Sequence, residues 1–159
     1  MTKIYLSHTN VKAERSVQEI ISEVSCRGAS QIRQDFDGKG NLRGLAFLVS
    51  LPDGKQIPIE LPARIDAMKK RIYKDLGPRQ RDRWKDDGRL DEAAYRICWR
   101  QLAAWVKAQM ALVDLDMTRQ EEIFLAFIQV APGKTLYHLV AERGFEMKAL
   151  KEGKQGNGI

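Results

Sequence analysis

Two cysteines and two histidines in 159 residues leave little from which to build a metal centre or a disulfide frame. Cys26 and Cys98 lack metal-ligand spacing, so both read as reduced thiols, Cys98 on the buried side of a helix. His8 and His138 are far apart in the chain, and no serine or cysteine stands in a motif-like setting. Cys26 beside Arg27 at a helix end is too little for a catalytic thiol. Long apolar runs are also missing. The start, MTKIYLSHTN, lacks the apolar run of about 7–15 residues that a signal peptide needs. The most apolar stretch, between Ile97 and Val113, is interrupted by Arg100, Gln101, Lys107 and Gln109. These absences predict a soluble, cytoplasmic chain with no cofactor.

The chain has the length of one ordinary domain, and its hydrophobic fraction of 43% suffices for a core without metals or disulfides. The formal charge is +6, and its placement is more telling than its size. Between Arg64 and Leu90 stand ten lysines and arginines against five aspartates, a net +5. A concentrated basic segment points to an anionic partner.

Periodicity predicts an α+β fold. Residues 13–27 place Val17, Ile20, Ile21 and Val24 on one helix face, with Gly28 as the stop. Ser30–Asp35, Leu42–Leu51 and Gln56–Leu61 read as a three-stranded antiparallel meander. Its turns are Asp37–Asn41 and Pro52–Lys55, and Pro58 puts the last strand at the sheet edge or after a bulge. Ile65–Leu76 is a short helix before the breaker pair Gly77-Pro78. Arg79–Leu90 is either an exposed helix or a linker that orders on a partner. Asp91 opens a long helix to about Val113, expected to cover the sheet. A Thr118–Glu121 capping box opens a helix through Ile128, Pro132-Gly133 is a turn, and Thr135–Arg143 is a helix ended by Gly144. The expected organisation is one domain over residues 1–145, made of a helix and β-meander (13–62), a basic exposed segment (63–90) and a C-terminal helical part (91–145). A flexible tail covers 146–159.

Candidate catalytic groups fail on specific grounds. Gly133-Lys134-Thr135 precedes a helix, but a phosphate-binding loop needs glycine where this chain has Ile128. The pairs Asp35/Asp37 and Glu121/Glu122 suit a turn and a helix start better than a metal site. A metal-dependent nuclease, which needs converging acids and a lysine, is the catalytic alternative. The basic groups carry more. Arg96, Arg100 and Lys107 fall within about 40° of one another on the long helix, flanked by Trp99. Arg79, Arg81, Arg83 and Trp84 follow one another in the basic segment. Arginines interleaved with tryptophan suit phosphate contact and base stacking. The competing reading is a solvated helix face with tryptophan in the core.

The order helix–β–β–β–helix is that of double-stranded-RNA-binding domains, whose lysine cluster and loop histidine have no counterparts here. The chain also resembles a group of small uncharacterised bacteriophage and prophage proteins. The likeness lies in the helix Ser16–Arg27 ending in Gly28-Ala29, the strand ending Ile59-Glu60-Leu61-Pro62, and WRQLAAWVKAQMALVD followed by EEIFLAFI and a Pro-Gly turn. It spans roughly residues 13–140 with gaps around 64–90; Ile123 between the glutamates and Phe124 is a departure. The resemblance implies a viral or mobile-element origin and supplies no catalytic residue. Two functions follow as expectations: a non-enzymatic accessory protein binding DNA or RNA through its basic surface, or a host-takeover or anti-defence module binding an acidic protein or nucleoprotein.

Overall fold

The computed structural model describes residues 3–146. Helix α1 (Ala13–Ser25) buries Val17, Ile20 and Val24, and ends before Gly28, whose φ of +88° continues no helix. Strands β1 (Ser30–Phe36), β2 (Leu42–Ser50) and β3 (Gln56–Glu60) form an antiparallel sheet in the order β1-β2-β3. Both turns rest on an aspartate that accepts backbone N–H bonds. Asp37 takes Lys39 at 2.8 Å and Asn41 at 2.9 Å, and Asp53 takes Lys55 at 3.0 Å. The Asn41 and Lys39 bonds and the nearby Arg43 guanidinium pull the Asp37 carboxyl down to about 2. Pro58, opposite Leu48, does lie in an edge strand, where its missing N–H is least damaging.

The central strand is the most apolar and the most buried, with Leu45, Phe47 and Val49 in the core. The long helix α4 (Arg89–Asp114) supplies the other half, burying Trp99, Ala103, Val106 and Met110. Two aromatic groups of α4 fasten it to the first residue of β2. The Tyr95 hydroxyl accepts from the Leu42 N–H at 3.1 Å, and the Trp99 indole donates to the Leu42 carbonyl at 3.3 Å. Both backbone groups of one strand-end residue are thus satisfied by the covering helix, which burial would otherwise leave unpaired.

Between sheet and α4, the basic segment is mostly helical, broken at Leu76-Gly77 and at Asp87-Gly88. It forms α2 (Ile65–Asp75) and α3 (Pro78–Asp86). Of the two readings of Arg79–Leu90, the exposed helix is the observed one. Pro78 presets the first turn and Arg83 and Lys85 favour the negative end of the dipole, yet α3 buries no residue.

The C-terminal part departs from expectation. The helix foreseen from Thr118 to Ile128 is one short turn, α5 (Gln120–Ile123), followed by a 3-10 turn, Leu125–Phe127. The acid that closes its start is Glu122, which accepts from the Thr118 hydroxyl at 2.8 Å and the Arg119 N–H at 3.2 Å, not Glu121. Phe124 explains the break. It is fully buried edge-on to Phe47 at 5.4 Å, and seating it turns the chain away from the helical path. A small hairpin follows, β4 (Gln129–Ala131) and β5 (Lys134–Thr135), with Gly133 at φ +69° in its turn. It meets the main sheet through the Ile59–Ile128 bridge. Helix α6 (Leu136–Glu142) is the last helix among the described residues, and none of its residues is fully buried. Residues 147–159 of the expected tail lie outside the described residues.

Candidate nucleic-acid interface

The buried stripe of α2 is Ile65 and Ile72, with half-buried Met68 beside them. Helix geometry then places Lys70 and Lys74, one turn apart, on the opposite, exposed side. On α3, Arg79 and Arg83 are likewise exposed and one turn apart. Lys85 meets Lys70 across a cleft of about 700 Å³ that Lys69 and Tyr73 also line. Among the described residues, the side chains of Lys70, Lys74, Arg79, Arg83 and Lys85 enter no ion pair or hydrogen bond. Asp82 and Asp86 on α3 are equally unpaired and dilute the field. Four further pairs cancel charge locally: Arg71 with Asp75 at 3.1 Å, Arg89 with Asp87 at 3.0 Å, Lys69 with Asp91, and Asp66 with Arg43 at 3.5 Å.

Of the eight residues singled out from the sequence, Arg79, Arg83 and Lys107 are exposed and unpaired among the described residues. Lys107 stands on the α1 side of α4, apart from the other two. Arg81 turns inward. It donates to the carbonyls of Tyr73 and Lys74, both at 2.9 Å, and lies 5.3 Å from the Tyr73 ring centroid. It therefore satisfies the last carbonyls of α2 and docks α3 onto it. Trp84 is half-buried against the core, on the same side of α3 as Arg81. Trp99 has 0% exposure and cannot stack on a base; here the core reading of tryptophan holds. The stripe on α4 is mostly consumed. Arg96 donates to the Thr9 carbonyl at 2.9 Å and to Glu92 at 2.6 Å, and Arg100 to Glu19 of α1 at 2.7 Å. These arginines fasten α1 and the N-terminal segment to α4, because α1 packs along that side of the helix.

Lys70, Lys74 and Lys85 belong to the basic segment, and the count of its charges does not distinguish them from their neighbours. Their signal was available: the i,i+4 spacing of Lys70 and Lys74 opposite the Ile65/Ile72 stripe.

The catalytic candidates resolve into structural roles. Lys134 pairs with Glu142 at 2.7 Å, and the Thr135 N–H goes to His138 Nδ1 at 3.1 Å, so the Gly-Lys-Thr string is a hairpin turn and a helix cap. Asp35 pairs with Arg33, and Asp37 holds its turn. Among the described residues no three His, Cys, Asp or Glu converge on a metal position. Cys98 is buried, which pushes its thiol up to about 11, away from the reactive thiolate. No helix among the described residues is long and apolar enough to cross a membrane. No family model, curated protein or solved structure matches the chain.

Proposed function

We propose that the chain is a non-enzymatic accessory protein, of the phage type, that binds nucleic acid in the cytoplasm through the α2–α3 face. The observation that carries this reading is five exposed cations on two adjoining helices, Lys70, Lys74, Arg79, Arg83 and Lys85, with no internal partner among the described residues. Folding leaves their charge available to phosphates, whereas Arg81, Arg96 and Arg100 are engaged inside the protein. The binding is of the backbone-tracking kind, since the two tryptophans once candidates for stacking are turned into the fold.

The test is a salt-titrated binding assay with labelled single- and double-stranded DNA and RNA, on wild type, Arg79→Ala/Arg83→Ala and Trp99→Phe. Expected is micromolar binding at low salt that the double arginine variant weakens and Trp99→Phe leaves unchanged. No binding at low salt, or indifference to the loss of both arginines, overturns it. A stoichiometric complex with an acidic protein that survives nuclease would assign the same face to the second reading instead.

A further inference from the structure

An open apolar groove of about 930 Å³ runs between α2 and α4 on the side away from α1. Its α4 wall extends from Cys98 to Ala108, about 15 Å at the ordinary helical rise. The groove exists because small residues line it. Ala67 on α2 and Ala104 and Ala108 on α4, the last two one turn apart, line it and leave unfilled the space that larger side chains would take. Trp105 is its large apolar surface, half-buried and fixed edge-on against Phe124 at 5.8 Å and Phe127 at 5.6 Å. The charged residues at its rim are Lys3, Arg64 and Arg71, and no acid lines it. Arg71 pairs with Asp75, whereas Lys3 and Arg64 have no ion pair among the described residues.

We propose that this groove docks an acidic amphipathic α-helix from a partner protein. An open trough does not enclose most of a small ligand's surface, as a small-molecule pocket does. It does match a helix of about three turns, whose i, i+3, i+4 and i+7 side chains lie on Trp105 and the alanines. The rim selects the sign of the flanking charges: glutamates meet Lys3 and Arg64, and lysines are repelled. A second copy of this chain, at a formal +6, is a poor occupant of a cationic trough. The site shares no residue with the five cations of the α2–α3 face, so either proposal can fail alone.

The experiment uses the full chain and a fluorescein-labelled helical peptide of about 15 residues, leucines at the four docking positions and glutamates flanking them, read by anisotropy. A second peptide carries lysine for every glutamate. Expected is saturable micromolar binding of the acidic peptide and at least about tenfold weaker binding of the lysine peptide. Ala104→Leu/Ala108→Leu fills the trough and weakens the acidic peptide by about tenfold or more, with an unchanged or raised unfolding midpoint. Arg64→Glu weakens the acidic peptide and strengthens the lysine peptide. Equal binding of both peptides, or indifference to the paired leucines in a folded variant, overturns the proposal. So does saturable binding of laurate where neither peptide binds, or a dimer by sedimentation that the leucines dissociate.

Discussion

The indole of Trp99 carries a single N–H, and the fold uses it on the Leu42 carbonyl, 57 residues away in the chain. Trp99→Phe keeps most of the apolar surface but leaves that carbonyl buried and unpaired. It should cost about 1–3 kcal/mol in urea unfolding, as a lower midpoint at constant slope. A stability equal to wild type would show that the bond is not needed. Asp37 offers a test by pH. Hydrogen bonds from Asn41 and Lys39 set its carboxyl at about 2, below the ordinary 3.8. A carboxyl lowered by folding stabilises the native state fully above the unfolded value, and that contribution is lost as pH falls from 3.8 through about 2. An NMR titration of the Asp37 side chain should show its midpoint near 2, with the β1–β2 turn loosening on the same titration; a midpoint at the ordinary value contradicts the turn geometry. The Asp37-Gly-Lys-Gly-Asn cluster announced this turn in the sequence, because its hydrogen bonds are local. Trp99 could not be placed so, since its partner is remote.

Helix α3 shows how an element that buries nothing is held. Its position depends on Trp84 against the core and on the Arg81 fork at the end of α2. Arg81→Ala removes two charge-assisted hydrogen bonds and a ring contact. It should destabilise the protein by about 1–3 kcal/mol and lower the hydrogen-exchange protection of α3, with α1 unaffected. Arg81→Lys should rescue little, because one ammonium cannot reproduce the planar fork. Arg79→Ala, two residues away and exposed, should change stability by less than about 0.5 kcal/mol. If the two alanine variants behave alike, Arg81 is a surface arginine and the docking is wrong. Composition made Arg79, Arg81 and Arg83 equivalent. Only the tertiary placement of α3, against α4 and beside the C-terminal end of α2, separates the inward one from the outward two. The helix foreseen through Ile128 fails for a related reason: Thr118 and the glutamates mark a real start, but Phe124 is drawn into a core formed by β2 and α4.

At the scale of the whole molecule, charge decides how the proposed binding responds to salt. If each of the five free cations displaces one counterion from duplex DNA, log K should fall against log salt with a slope of about −4 to −5. The Arg79→Ala/Arg83→Ala variant should be shallower by about 2, measured by the same titration. A slope unaffected by that variant would place the contact elsewhere, with exposed Lys107 as the next cation to replace. The net +5 of the basic segment was legible by counting, but the count does not say which cations are paired with an acid and which stay exposed without a partner. What the amino-acid sequence determined by itself was everything governed by neighbours along the chain. The period of α1, α2 and α4, the alternation of the strands, the aspartate and glycine turns and the sheet-edge proline all depend on residues a few positions apart. What only the tertiary structure decided was which groups remain free. Arg100 finds Glu19 across 81 residues, Arg96 finds Thr9 across 87, and the alanines of α2 and α4 define a groove only once the helices lie side by side. A side chain's availability depends on what packs beside it, and that is set by the core as a whole.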